Sequence, residues 1–151
     1  SLFFVILNSL IHQWFEYHFS VTLFFLFIFL YFTFIVLHEI CHLIGFIVFG
    51  KVHLRELKYG MNLKLGVAYA TTSKPVTNRA MKATLLLPFW ITGVVPALIG
   101  FYINNYLLLL LGAFLIAGAV GDFSMYRALK KFPNDVLVQD DPLEPKLYVY
   151  K

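Results

Sequence analysis

Five consecutive residues, His38-Glu39-Ile40-Cys41-His42, have the types and spacing of a hydrolytic metal site. On a helix, positions four apart lie about 40° from one another around the axis, so His38 and His42 share a face. Two imidazoles on one face can hold a zinc ion, and Glu39 can reach a water bound to that ion. In this metallopeptidase arrangement zinc acidifies the water and the glutamate takes its proton. Glu39 is also the one formal charge between Val21 and Gly50, which places the site inside a membrane.

Composition supports that setting. The 151 residues are 60% hydrophobic, 19% aromatic and 13% charged. Soluble domains carry about 25% charged residues, so the chain reads as an α-helical integral membrane protein forming one domain over 1–151. The net charge of +4 does not indicate nucleic acid, because the basic residues cluster between apolar runs. A single cysteine excludes an intrachain disulfide. A chain beginning at Ser1 is expected of a fragment or a processed form.

Three stretches read as transmembrane helices, 21–50, 80–103 and 106–129, with 1–20 giving room for a fourth, truncated helix and an interfacial loop. Pro88 and Pro96 are expected to kink the second span, and Gly112, Gly118 and Gly121 to allow close approach of the third. Between the first two spans lies a basic segment, 51–79; seven of the twelve Lys and Arg residues fall between Lys51 and Lys82, against one acid, Glu56. Leu63, Leu65, Val67 and Tyr69 alternate with smaller or polar residues as in a strand. Val52, Leu54, Leu57 and Tyr59 alternate with a shift at Glu56 that suggests a bulge. Gly60-Met61-Asn62 is expected to be the loop of a small β-hairpin. The 130–151 tail has short β-like pieces at Val136–Gln139 and Leu147–Tyr150. The excess of Lys and Arg puts the 51–79 segment and the tail on the cytoplasmic side.

A catalytic zinc takes three protein ligands and keeps one open position. Candidates for the third ligand are His12, His18, His53, Glu56, Asp122, Asp135, Asp140, Asp141 and Glu144. Depth selects Asp122. His42 lies eight residues before Gly50, about 12 Å along the axis, and Asp122 seven before Leu129, about 10 Å from the same side. An intramembrane carboxylate also needs a partner. Cys41 lies within a turn of both histidines and reads either as a small buried residue or as a further ligand.

These residues resemble the site-2 proteases, membrane-embedded zinc metallopeptidases that cut within or near transmembrane segments. The likeness rests on His38-Glu39-x-x-His42, Gly45, Phe49-Gly50, the hairpin-like segment and a carboxylate on a later span. In detail the chain is similar to a small bacterial family of putative zincin peptidases of unknown substrate, matched by Gly121-Asp122 and Asp141-Pro142. It departs from site-2 proteases at Ile40-Cys41, where those have Leu-Gly, and in the residues around Asp122.

The expected activity is zinc-dependent hydrolysis of peptide bonds in membrane-protein substrates near the cytoplasmic side, in a bacterial cell membrane. His38, His42 and Asp122 would hold Zn2+, Glu39 would be the general base, and the Leu63, Leu65, Val67 and Tyr69 strand would hold an extended substrate by its edge. The partners implied are such a substrate and the bilayer. The alternative is a non-catalytic membrane protein whose zinc is structural or sensed, with Cys41 closing the site.

Overall fold

The computed structural model describes residues 21–62, 67–141 and 146–150, together with the single helical residues Phe3, Ile6, Leu7 and Leu10. Expectations resting on His12, His18, Leu63, Leu65, Pro142 and Glu144 lie outside the described residues.

Val21–Val48 forms one uninterrupted helix, α1, as its lack of proline and of polar breaks dictates. Its outward side chains include Phe24, Phe25, Phe29 and Phe32, whereas Phe27 and Tyr31 pack their rings on Phe114. Lys51 ends the helix with a φ of 52°, in the left-handed region, and the Val52 amide donates back to the Phe46 carbonyl at 3.2 Å.

The stretch after α1 is not a bulged strand. Leu54–Glu56 makes one 3-10 turn, closed by the Glu56 carboxylate accepting from the His53 amide at 3.0 Å. That local capping bond consumes the acid whose position suggested a bulge. Strands β1 (Leu57–Asn62) and β2 (Val67–Thr72) then pair antiparallel, with Leu57 opposite Thr72 and Asn62 opposite Val67. The hairpin is therefore present, but Gly60, Met61 and Asn62 belong to β1 rather than to its loop. Gly60 stands opposite Tyr69, whose ring covers it so closely that a Cβ there would lie 2.8 Å from the Tyr69 hydroxyl. Strand β2 packs against α1.

Strand β3 (Val76–Thr77) leads directly into the second long helix. Thr77 caps it, its hydroxyl accepting from the Ala80 amide at 3.3 Å. The helix runs as α2 (Asn78–Pro88), a π-helical turn (Phe89–Val94) and α3 (Val95–Tyr102). The expected proline kinks take this form. Pro96 has no amide to offer the preceding turn, and the Val95 amide reaches five residues back to the Trp90 carbonyl. Asn104, with a φ of 52°, and Asn105, whose side chain accepts from the Leu108 amide at 3.0 Å, turn the chain into the third long helix. It comprises α4 (Tyr106–Gly118) and α5 (Val120–Leu129), with the hydrogen-bond ladder carried across Ala119. Of the glycines expected to bring it close to a neighbour, only Gly112 does so: a Cβ there would lie 2.5 Å from the Ala97 nitrogen, whereas Gly118 and Gly121 face open space.

The tail folds back. Strands β4 (Leu137–Asp140) and β5 (Leu147–Tyr150) pair antiparallel, and β4 also pairs with β3, making a second sheet of order β3-β4-β5 that the sequence had not suggested. Buried Asn78 locks this end of the molecule, its amide donating to the carbonyls of Leu129, Phe132 and Pro133 at 3.0, 2.9 and 2.8 Å. Around it Phe46, Val52, Val76, Ala80, Met81, Leu85, Leu129 and Val138 form the apolar core. Three helices, Val21–Val48, Asn78–Tyr102 and Tyr106–Leu129, are long and apolar enough to cross a membrane, and they alternate in direction.

Candidate metal centre

His38 and His42 project from one face of α1 with ring centroids 5.1 Å apart. Asp122, in the first turn of α5, meets both. Its Oδ2 lies 3.1 Å from His38 Nε2 and its Oδ1 3.4 Å from His42 Nε2. The contact between the Phe89 and Phe123 rings, edge to face at 4.8 Å, ties α5 to the π-helical turn and fixes the register that presents Asp122.

The far side of each imidazole is also held. His42 Nδ1 lies 3.1 Å from the Thr84 carbonyl oxygen, which can only accept, so the ring proton sits on Nδ1. Thr92 donates its hydroxyl to the Pro88 carbonyl at 2.8 Å, so toward His38 Nδ1, 3.4 Å away, it too can only accept. Both neutral rings therefore turn an Nε2 lone pair toward a carboxylate, which offers nothing but lone pairs. Lone pairs converging in this way require a cation between them or protons on both rings.

The spacing fits zinc. Ligands at about 2.0–2.1 Å in a tetrahedral shell stand roughly 3.3 Å from one another. The observed 3.1 and 3.4 Å separations bracket that value, and the three ligand atoms all lie within 4.8 Å of one another. Among the described residues no fourth His, Cys, Asp or Glu joins the group. Cys41 is buried next to it in sequence but outside it in space. With the His38 and Asp122 side chains 14% and 16% exposed, the centre is not sealed.

Glu39, half-buried, is within electrostatic range of His38, His42 and Asp122 without joining their ligand group. Of the other candidate ligands, Glu56 is taken up by the His53 amide and Asp141 by the Tyr148 hydroxyl. Asp135 does not join the group. Asp140 is not a ligand either, but it lies within electrostatic range of His42 and beside Thr71 of β2. Burial pushes its carboxyl up to about 6, against the opposing influence of His42. Val67 and Tyr69 are in β2, on the hairpin that packs against α1.

Sequence reading missed Thr84 and Thr92, which orient the imidazoles. A signal for them existed: they are the only Ser or Thr residues in the second span. Gly45, one turn beyond His42, lets Thr84 approach, since a Cβ on it would come within 2.9 Å of the Thr84 side chain.

No curated protein and no solved structure matches the chain. Residues 31–137, which span α1 from Tyr31 through the start of β4 and include His38, Glu39, His42 and Asp122, match a family model for zinc-type peptidases. The chain belongs to the family described as putative zincin peptidase.

Proposed function

We propose that the protein is a zinc-dependent metallopeptidase, similar to site-2 proteases, that hydrolyses peptide bonds of membrane-protein substrates at the membrane boundary nearest the two sheets. One observation carries this reading. Two imidazoles with their protons committed at Nδ1 and a carboxylate from another helix converge at ligand spacing, while no fourth protein ligand joins them among the described residues. Three protein ligands without a fourth suit catalysis rather than a closed structural site. The basic segment between the first two spans supports a cytoplasmic location for the sheets.

His38, His42 and Asp122 would hold the ion. Zinc supplies acidification of a water and polarisation of the scissile carbonyl. Glu39 would accept the proton of the attacking water at its carboxylate and deliver it to the leaving amine as the carbon–nitrogen bond breaks. Thr84 and Thr92 would keep both rings in the tautomer that exposes Nε2. A peptide must be extended to expose its carbonyl, and Val67 and Tyr69 lie in β2 on the hairpin against α1, where edge addition would present it, with Leu63 and Leu65 as the further substrate contacts proposed from the sequence.

The test compares Glu39→Gln with the unaltered protein by quantifying membrane-protein fragments in cells producing each. The variant is expected to retain zinc and to yield none of the fragments seen with the unaltered chain. Equal fragment yields from both would overturn the enzymatic reading.

A further inference from the structure

The helix that carries Asp122 has a second face with room beside it. A groove of about 450 Å³ follows α5, walled by Gly121, Met125 and Ala128 on the helix, Phe132 beyond its end, and Leu147 and Val149 on β5. The three helical positions share a face by their spacing, and the two strand positions, two apart, share another. Asp122, one position on from Gly121, turns instead to the histidines. A Cβ built on Gly121 would meet nothing within 4 Å, so the groove is open at that end. The one polar side chain in its lining, Ser124, already donates its hydroxyl to the Val120 carbonyl at 2.9 Å. The groove therefore suits an occupant that needs no hydrogen bond.

Length and charge narrow that occupant. From Leu129 to Gly121 the groove follows the helix for eight residues, about 12 Å. One leaflet's share of a roughly 30 Å hydrocarbon core is about 15 Å. A partner's transmembrane helix would continue past Gly121 toward the other face, whereas an acyl chain ends near that depth. At the sheet end, cations stand next to the lining residues in sequence: Arg127 before Ala128, and Lys130 and Lys131 between Leu129 and Phe132. All three are exposed, and among the described residues none is in an ion pair. We propose that the groove between α5 and β5 holds one anionic phospholipid, with an acyl chain against Gly121 and Ala128 and its phosphate beside Arg127, Lys130 and Lys131. The lipid would fill the open flank of the helix that presents Asp122 and tie β5 to it. This goes beyond the metallopeptidase reading and rests instead on the three long helices crossing a bilayer.

Native mass spectrometry tests this on the full chain released from detergent micelles that contain equal amounts of dioleoyl phosphatidylglycerol and dioleoyl phosphatidylcholine. The unaltered protein is expected to retain one lipid, with the phosphatidylglycerol form at least about fivefold in excess. Ala128→Trp fills the groove and should abolish retention, and Ala128→Leu, a smaller plug that keeps the test open if the tryptophan variant does not fold, should reduce it. Replacing Arg127, Lys130 and Lys131 together by Gln should bring the two lipids to within about twofold of each other. Equal retention of both lipids by the unaltered protein would overturn the proposal, as would phosphatidylglycerol retention unchanged by both Ala128 substitutions. A dimer that Ala128→Trp splits into single chains would give the groove to a second copy and overturn it too.

Discussion

The Thr84 carbonyl accepts from His42 Nδ1 at 3.1 Å, and this bond across two helices decides which ring nitrogen faces Asp122. The same division holds at His38, where Thr92 faces Nδ1 and Asp122 faces Nε2. The two threonines differ in the group they use. Thr84 acts through its backbone and Thr92 through its hydroxyl.

That difference is measurable. Thr92→Val keeps the shape and removes the acceptor, and loss of such an outer partner lowers metal affinity by roughly 10–100-fold. At a separation of 3.4 Å the lower end is expected. Thr84→Val leaves the carbonyl in place and removes a buried hydroxyl that has no partner, so zinc affinity should stay within about twofold. Competition with a chelator of known affinity would give both values.

Gly45→Ala should disturb the centre without touching a ligand. Its Cβ would stand 2.9 Å from Thr84 Cγ2 and 3.0 Å from Thr84 Cα. The second of these atoms is backbone and cannot rotate away, so α1 and α2 must separate. Overpacking of this kind destabilises by about 1–3 kcal/mol, and here it also lengthens the His42–Thr84 bond. A lower thermal midpoint together with weaker zinc binding is the expected result. Lower stability with unchanged zinc binding would show that the interface does not set the ring orientation.

The stability of the metal-free protein should carry a signature of Asp140. Its carboxyl is raised by burial from 3.8 to about 6, so the folded state holds that proton more tightly than the unfolded state does. The stabilisation is complete below pH 3.8 and is lost as pH rises through about 6. Asp140→Asn does not titrate. Relative to that variant, the unaltered protein should lose up to ~3 kcal/mol between those limits and then level off. Denaturant midpoints of both proteins in the presence of a chelator, taken from pH 4 to 7, would measure the difference.

The parts of the fold that depend on local periodicity were legible in the sequence. The spans near 21–50, 80–103 and 106–129 appear as Val21–Val48, Asn78–Tyr102 and Tyr106–Leu129, because apolar runs of that length fold as helices whatever surrounds them. Asp122 could be matched to His42 because depth along a helix can be counted from sequence. What depends on pairing between distant segments was not legible. Two residues, Val76 and Thr77, are too few for a strand pattern, and they become β3 only because β4 returns from the tail to pair with them. The shift at Glu56 looked like a bulge because a capping turn and a bulge displace the apolar pattern alike. Thr84 and Thr92 needed a knowledge of which helix faces α1, and Asp140 needed the path of the tail.

X-ray absorption at the zinc edge of the purified full chain tests the centre most directly. The expected spectrum is that of one zinc per chain with nitrogen and oxygen neighbours only, at about 2.0–2.2 Å, two of them imidazoles. Asp122→Ala should lower the bound zinc. A sulfur neighbour at about 2.3 Å would mean that Cys41 closes a structural site, and that result would contradict a catalytic centre built from His38, His42 and Asp122.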